Sequence, residues 1–156
     1  MLSKTAEYAL RAVICLAQAG EVGLTTDVIA RKTHIPVSYL GKVLQLLRRS
    51  GLVQSQRGLH GGFLLRRAPS TLTFLEVLNS VDPLRRITNC PIHPEGSTEP
   101  ICPLHAAIDR AVAAVEREFS NVTIGELTSK PSKRLPLCGH SNKEKTRALR
   151  TGAMSK

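Results

Sequence analysis

Long apolar runs are absent from the 156 residues: none approaches the length of about 20 that a bilayer span requires. The opening MLSKTAEYAL carries no apolar segment of the secretory type, so a cytoplasmic protein without a membrane partner is expected. Cysteine is scarce, with Cys15, Cys90, Cys102 and Cys138 at irregular spacing. That excludes the dense disulfide framework of a small secreted domain and points to thiols that are kept reduced, used in catalysis or bound to metal. No Gly-rich phosphate loop follows a strand, and no nucleophile, base and orienting group stand together, so an enzyme is not expected. Acidic residues are also few, 12 against 22 Lys and Arg, leaving a formal net charge of +10.

That charge is unevenly placed. Residues 1–83 hold ten Lys/Arg against five Asp/Glu, residues 84–129 four against six, and residues 130–156 eight against one. The attraction for polyanions therefore lies on the head and the tail, and nucleic acid is the obvious polyanion. The tail is polar and basic with few large apolar residues, a composition expected to remain disordered.

In the head, Ala6, Ala9, Leu10, Val13, Ile14 and Ala17 recur at helical spacing until Gly20 stops them. Thr25 or Thr26 can cap a second, short helix to about Lys32, with Val28 and Ile29 facing the core. Pro36 forces a turn at Ile35, and a third helix opens at Pro36 or Val37 and runs to about Ser50. Its apolar stripe is Leu40, Val43, Leu44 and Leu47, which leaves Ser38, Tyr39, Lys42, Gln45, Arg48 and Arg49 on other faces. A short helix, a tight turn and a second helix with polar and basic residues make a helix-turn-helix arrangement, whose second helix enters the major groove.

LVQSQRGLHGGFLLRR follows, reading as strands at 52–56 and 63–67 around Gly58, Gly61 and Gly62, which is a wing. The expected fold is mainly α with a small β-wing: a winged helix-turn-helix domain plus a long C-terminal dimerisation helix. The DNA-facing set is Thr26, Val37, Ser38, Tyr39, Lys42, Gln45, Arg48, Arg57, His60 and Gly61, with double-stranded operator DNA as partner. Thr73 with Glu76 makes a capping box for a helix from Phe74 to about Val81. After a loop at 84–103, Ala107, Ile108, Ala111, Val112, Val115 and Phe119 form a helical stripe that either a second copy would cover, giving the homodimer expected here, or the chain's own head would bury. Thr123 with Glu126 caps a short final helix, so the expected order is head 1–83, loop 84–103, dimerisation and final helices 104–129, tail 130–156.

The strings LSKTAEYALRAV, PVSYLGKVLQLLRRSGLVQSQRGLHGGFLL and TNCPIHPEGSTEPICPLHAAI resemble the IscR/NsrR type of bacterial iron-sulfur transcription regulators, over about residues 1–130. The resemblance implies a homodimer with two winged-helix heads and a cluster, responsive to redox change or nitric oxide, that tunes operator affinity, with repression expected. The commonest pattern of that family has three cysteines separated by five residues each. Here Cys90 and Cys102 fall on the outer positions, and Gly96 stands at the centre. With two thiolates, a 2Fe-2S cluster completed by non-cysteine ligands is expected rather than a 4Fe-4S cluster.

The resemblance offers His105, one helical turn past Cys102, and Glu7, the position of an acidic ligand supplied by the other subunit in some relatives. His34, before the turn into the recognition helix, is a third candidate. Cys90 and Cys102 of one subunit with Glu7 and His34 of the other is the expected set. Against this, Glu7 can simply pair with Arg11 at i,i+4, a contact worth about 0.2 to 0.5 kcal/mol. Two other functions are compatible with the residues: a cluster-free dithiol switch at Cys90 and Cys102, and an electron-transfer or cluster-carrier protein.

Overall fold

The computed structural model describes residues 2–58, 61–90 and 101–129. Helix α1 (Lys4–Ala19) begins where the Ser3 hydroxyl accepts the Ala6 amide at 3.1 Å, and ends at Gly20, whose φ of 65° only glycine adopts freely. It buries Ala6, Ala9, Leu10, Ala12, Val13, Ile14, Cys15 and Leu16, more than one stripe, because other elements pack around it. Cys15 is thereby buried although it lies off the expected stripe.

Helix α2 (Thr26–Thr33) is capped by Thr25, which accepts the Val28 amide, and it buries Ile29 while Val28 is half-buried. Its one fully buried polar side chain, Thr33, donates to the Ile29 carbonyl at 2.7 Å and so carries no unsatisfied hydroxyl. His34 closes α2 in the left-handed region at φ 54°, a conformation His adopts more readily than most residues. Helix α3 (Val37–Arg49) buries the four expected residues Leu40, Val43, Leu44 and Leu47, and Arg48 and Arg49 sit favourably at the negative end of its dipole.

Strands β1 (Val53–Gln56) and β2 (Gly62–Leu65) pair antiparallel, Val53 opposite Leu65 and Gln56 opposite Gly62. A third rung comes from Leu24, which exchanges two backbone hydrogen bonds of 2.8 and 2.9 Å with Phe63 and pins the wing to the chain before α2. Helix α4 (Phe74–Asn79) has the full Thr73–Glu76 capping box. Helix α5 (Pro103–Asn121) packs against α4, where Phe119 meets Phe74 at a centroid distance of 4.5 Å.

Helix α6 (Ile124–Ser129), expected to accompany the dimerisation helix, folds back onto α1 and buries Ile124 completely. Backbone bonds of 2.8 Å from Ile124 to Leu72 and from Phe74 to Val122 fix it there, and Thr123 and Glu126 cap it reciprocally. Among the described residues no helix is long and apolar enough to cross a membrane. His60, Gly96 and the tail at 130–156 lie outside the described residues.

Gly62 tests the wing. A Cβ there would stand 2.5 Å from the Leu24 backbone, and its φ of 149° disfavours any side chain. Gly62→Ala is expected to lower unfolding free energy by about 2 kcal/mol or more, measured by urea denaturation; a midpoint equal to that of the natural chain would show that the wing is not held against Leu24.

Candidate metal centre and nucleic-acid face

Cys102 is the residue preceding the first turn of α5, with Pro103 in the first helical position where a missing N–H costs nothing. One turn later His105 turns back toward it. Its Nδ1 lies 3.1 Å from Cys102 Sγ and 3.4 Å from Cys90 Sγ, and the three donor atoms all lie within 4.8 Å of one another. Cys90 is buried; Cys102 and His105 are half-buried. The His105 backbone amide, the imidazole itself and the Cys90 thiol hold the Cys102 thiol well below its ordinary value, at about 7, against the opposing effect of burial. A thiol partly ionised at neutral pH, a second thiol and an imidazole form a donor set suited to iron-sulfur or other soft-ligand metal chemistry.

Cys90 is delivered by the segment that leaves α4. Leu84 N–H donates to Asn79 Oδ1, and further on Arg86 grips Asp109 of α5 through two hydrogen bonds of 2.7 and 2.6 Å. Ile87 N–H donates to the same carboxylate at 2.9 Å, and Arg86 also reaches Glu116 at 3.4 Å. The Arg86 guanidinium, helped by the Ile87 amide, holds the Asp109 carboxyl down to about 2. Arg86 and Asp109 escaped sequence reasoning. The available signal was an acid at i+4 from His105 on the same helix and a basic pair, Arg85 and Arg86, shortly before Cys90.

Glu7 and His34 are not among the converging donors. Glu7 accepts from Arg11 at 2.5 Å and from Lys4 at 3.3 Å, and these cations hold its carboxyl below the ordinary value, Lys4 contributing most. Arg11 also donates to the Thr33 carbonyl at 3.4 Å, so it ties α1 to the end of α2 next to His34. His34 is exposed, and its amide bonds the Ala30 carbonyl.

Ser38, Lys42, Gln45 and Arg49 form an exposed stripe along α3, opposite its buried one, with Val37 half exposed at its start and Arg48 beside it. No side chain caps this start and no acid lies in its first turn, which leaves its positive end open to an anion. Tyr39 is held from behind: its hydroxyl is 2.6 Å from Thr5 Oγ1 and its ring meets Tyr8 edge-on at 5.3 Å. Thr26 is half-buried in the first turn of α2, and Arg57 is exposed beyond β1. Gly61 closes the wing turn, its N–H bonding Gly58 O at 2.8 Å, so its place is explained by geometry alone.

The profile of the Rrf2 family, described as iron-dependent transcriptional regulators, matches residues 2–130. The transcriptional regulator IscR of Escherichia coli O1:K1 is 31% identical over 131 residues, covering 82% of this chain and 80% of that protein. IscR of Klebsiella pneumoniae is 30% identical over 129 residues, covering 82% and 79%. Among solved structures, CymR, the global cysteine regulator of B. subtilis, superposes with a TM-score of 0.67 at 26% identity, covering 85% of this chain and 98% of that one. IscR of T. potens gives 0.68 at 21% identity, covering 81% and 85%, a likeness of fold.

The thiol chemistry is directly measurable. In metal-free protein, alkylation of Cys102, followed by peptide mass spectrometry, is expected to reach half its plateau rate near pH 7, and His105→Ala is expected to move that midpoint upward toward the ordinary 9.0. An unmoved midpoint in the variant would remove His105 from the site.

Proposed function

The chain belongs to the Rrf2 family of transcriptional regulators, and from that premise we propose that it is a cytoplasmic, homodimeric repressor whose grip on operator DNA is set by a 2Fe-2S cluster. It is a regulator and not an enzyme. The observation that carries the reading is the convergence of Cys90, Cys102 and His105 within 4.8 Å.

These three residues would hold the cluster. Such clusters take four protein ligands, and His can stand in for Cys on one iron. The fourth donor is assigned to Glu7 or His34 of a second copy, which makes the site complete only in the dimer. His105 thus displaces one of the two cross-subunit ligands expected from the sequence. When bound, the cluster supplies a reversible one-electron centre that oxygen or nitric oxide can also attack. Everything else is done by the chain. Cys90 ties the segment after α4, Cys102 and His105 tie the start of α5, and Glu7 or His34 ties the other head, so loading favours one spacing of the two recognition helices.

Operator half-sites lie about 34 Å apart on one face of the duplex, and a change in head spacing alters affinity without altering base contacts. Only a difference in stability between dimer forms can drive such a shift. Support for the dimer comes from α5, which has no buried residue, leaving Leu104 66% and Ile108 43% exposed on a helix whose apolar stripe reads as one side of an interface. Support for the DNA face comes from the exposed stripe of α3 and its uncapped start. The closeness of the two sulfurs also favours a second reading, a dithiol switch without iron.

Anaerobic purification with iron and sulfide assays, absorbance and Mössbauer spectroscopy separates the two. The natural chain is expected to carry two irons and two sulfides; Cys90→Ser, Cys102→Ser and His105→Ala each lose them, and a Glu7/His34 double variant changes the iron environment. Colourless protein that binds promoters equally with and without iron would overturn the cluster. Lys42→Ala and Arg57→Ala are each expected to weaken operator binding and, where the cation meets a phosphate in both heads of the dimer, to flatten its salt dependence by about two units of slope; unchanged binding at moderate salt would refute the assigned face.

A further inference from the structure

The segment 84–90 lies antiparallel along α5: Arg86 meets Asp109 and Glu116, while Cys90 meets His105 at an earlier turn. His105 and Asp109 are four residues apart on one helix, hence on one face, and Arg86 and Cys90 are four residues apart on the segment opposite. The two contacts are rungs of one ladder, one made of sulfur and imidazole, the other of guanidinium and carboxylate. We infer that the Arg86–Asp109 pair is a positioning device that sets the distance of Cys90 from Cys102 and His105, and with it the site's capacity for metal. This inference rests on reading those three residues as ligands.

An ordinary exposed ion pair would not do this, since such pairs are weak, are screened by solvent and hold nothing in place. This one differs in three ways. It is a two-pronged guanidinium–carboxylate contact, which fixes orientation as well as distance. The Asp109 side chain is only 17% exposed, although Arg86 is 46% exposed. The carboxylate also accepts the Ile87 amide, so it anchors main chain and not merely a flexible side chain. From that anchored amide to Cys90 there are three residue steps, at most about 11 Å of extended chain. Such a tether confines Cys90 to the neighbourhood of His105. With the tether cut, the nearest described hold on the segment is the Leu84 amide on Asn79, six residues before Cys90.

Neither Arg86 nor Asp109 is one of the three converging donors, so their effect must appear in the separation of the sulfurs even without metal. Metal-free full chain equilibrated with glutathione reads that separation: glutathione disulfide takes two electrons and two protons from Cys90 and Cys102, forming one Cys90–Cys102 bond and releasing two glutathione thiols. The equilibrium constant, obtained by mass spectrometry of the linked peptide, is the effective concentration of one thiol at the other. Arg86→Gln and Asp109→Asn are each expected to lower it about tenfold and to weaken Co2+ binding by a similar factor, the effect typical of groups that orient ligands. Arg86→Lys, which keeps the charge but loses the two-pronged contact, is expected to fall between the natural chain and Arg86→Gln. Values unchanged in Arg86→Gln and Asp109→Asn would overturn the inference. So would a drop that appears only together with lost helicity in circular dichroism, since that is a fold defect. A natural chain that shows the expected ordering of variants but takes up no iron would sink the cluster reading and leave the positioning of Cys90 by Arg86 standing.

Discussion

Helix α1 is buried around most of its circumference, and that burial constrains every other part of the molecule. A surface helix hides one stripe; α1 hides eight of its sixteen residues and is touched by α2, α3, α4, α6 and β2. Three of the buried positions are the alanines Ala6, Ala9 and Ala12, which let neighbouring backbones approach closely. The helix-turn-helix unit, α4 and α6 all pack on this hub. No element of the head can shift far without disturbing packing on α1, because close-packed interiors transmit displacement.

The start of α1 also reaches the surfaces that matter for function. Thr5 and Tyr8 hold Tyr39 at the opening of the recognition helix, and Arg11 joins the Glu7 carboxylate to the last turn of α2. Arg11 thus stands between Glu7 and the turn that precedes α3. The cysteine site, in contrast, is built from the segment after α4 and the start of α5, and it reaches the head of its own chain through the packing of α5 on α4. A second copy whose Glu7 or His34 approached this site would link the two regions across subunits.

Most local structure could be read from residue order because it depends on contacts a few residues apart. The stripe of α3, the Thr73–Glu76 and Thr123–Glu126 boxes, the turn at Pro36 and the glycine-bounded wing each rest on short-range rules of spacing and backbone freedom. Cys90, Cys102 and His105 could be singled out for a different reason, a pattern shared with a family. The i,i+4 pairing of Glu7 with Arg11 was open to the same short-range argument, and it is present.

Long-range placement was not legible. The return of α6 to α1, the Leu24 rung on the wing, the grip of Tyr39 by Thr5 and the Arg86–Asp109 contact join residues from 23 to more than 100 positions apart. Charge pairs and apolar faces of this kind have many acceptable partners along a chain, and periodicity does not rank them. The amino-acid order thus determined the elements, their caps, the basic head and the identity of the thiol donors, since propensity, charge and chemistry belong to residues one at a time. Which donors meet, and what holds Cys90 against His105, was decided only when the packing of α5 on α4 brought one helix face alongside the segment before it.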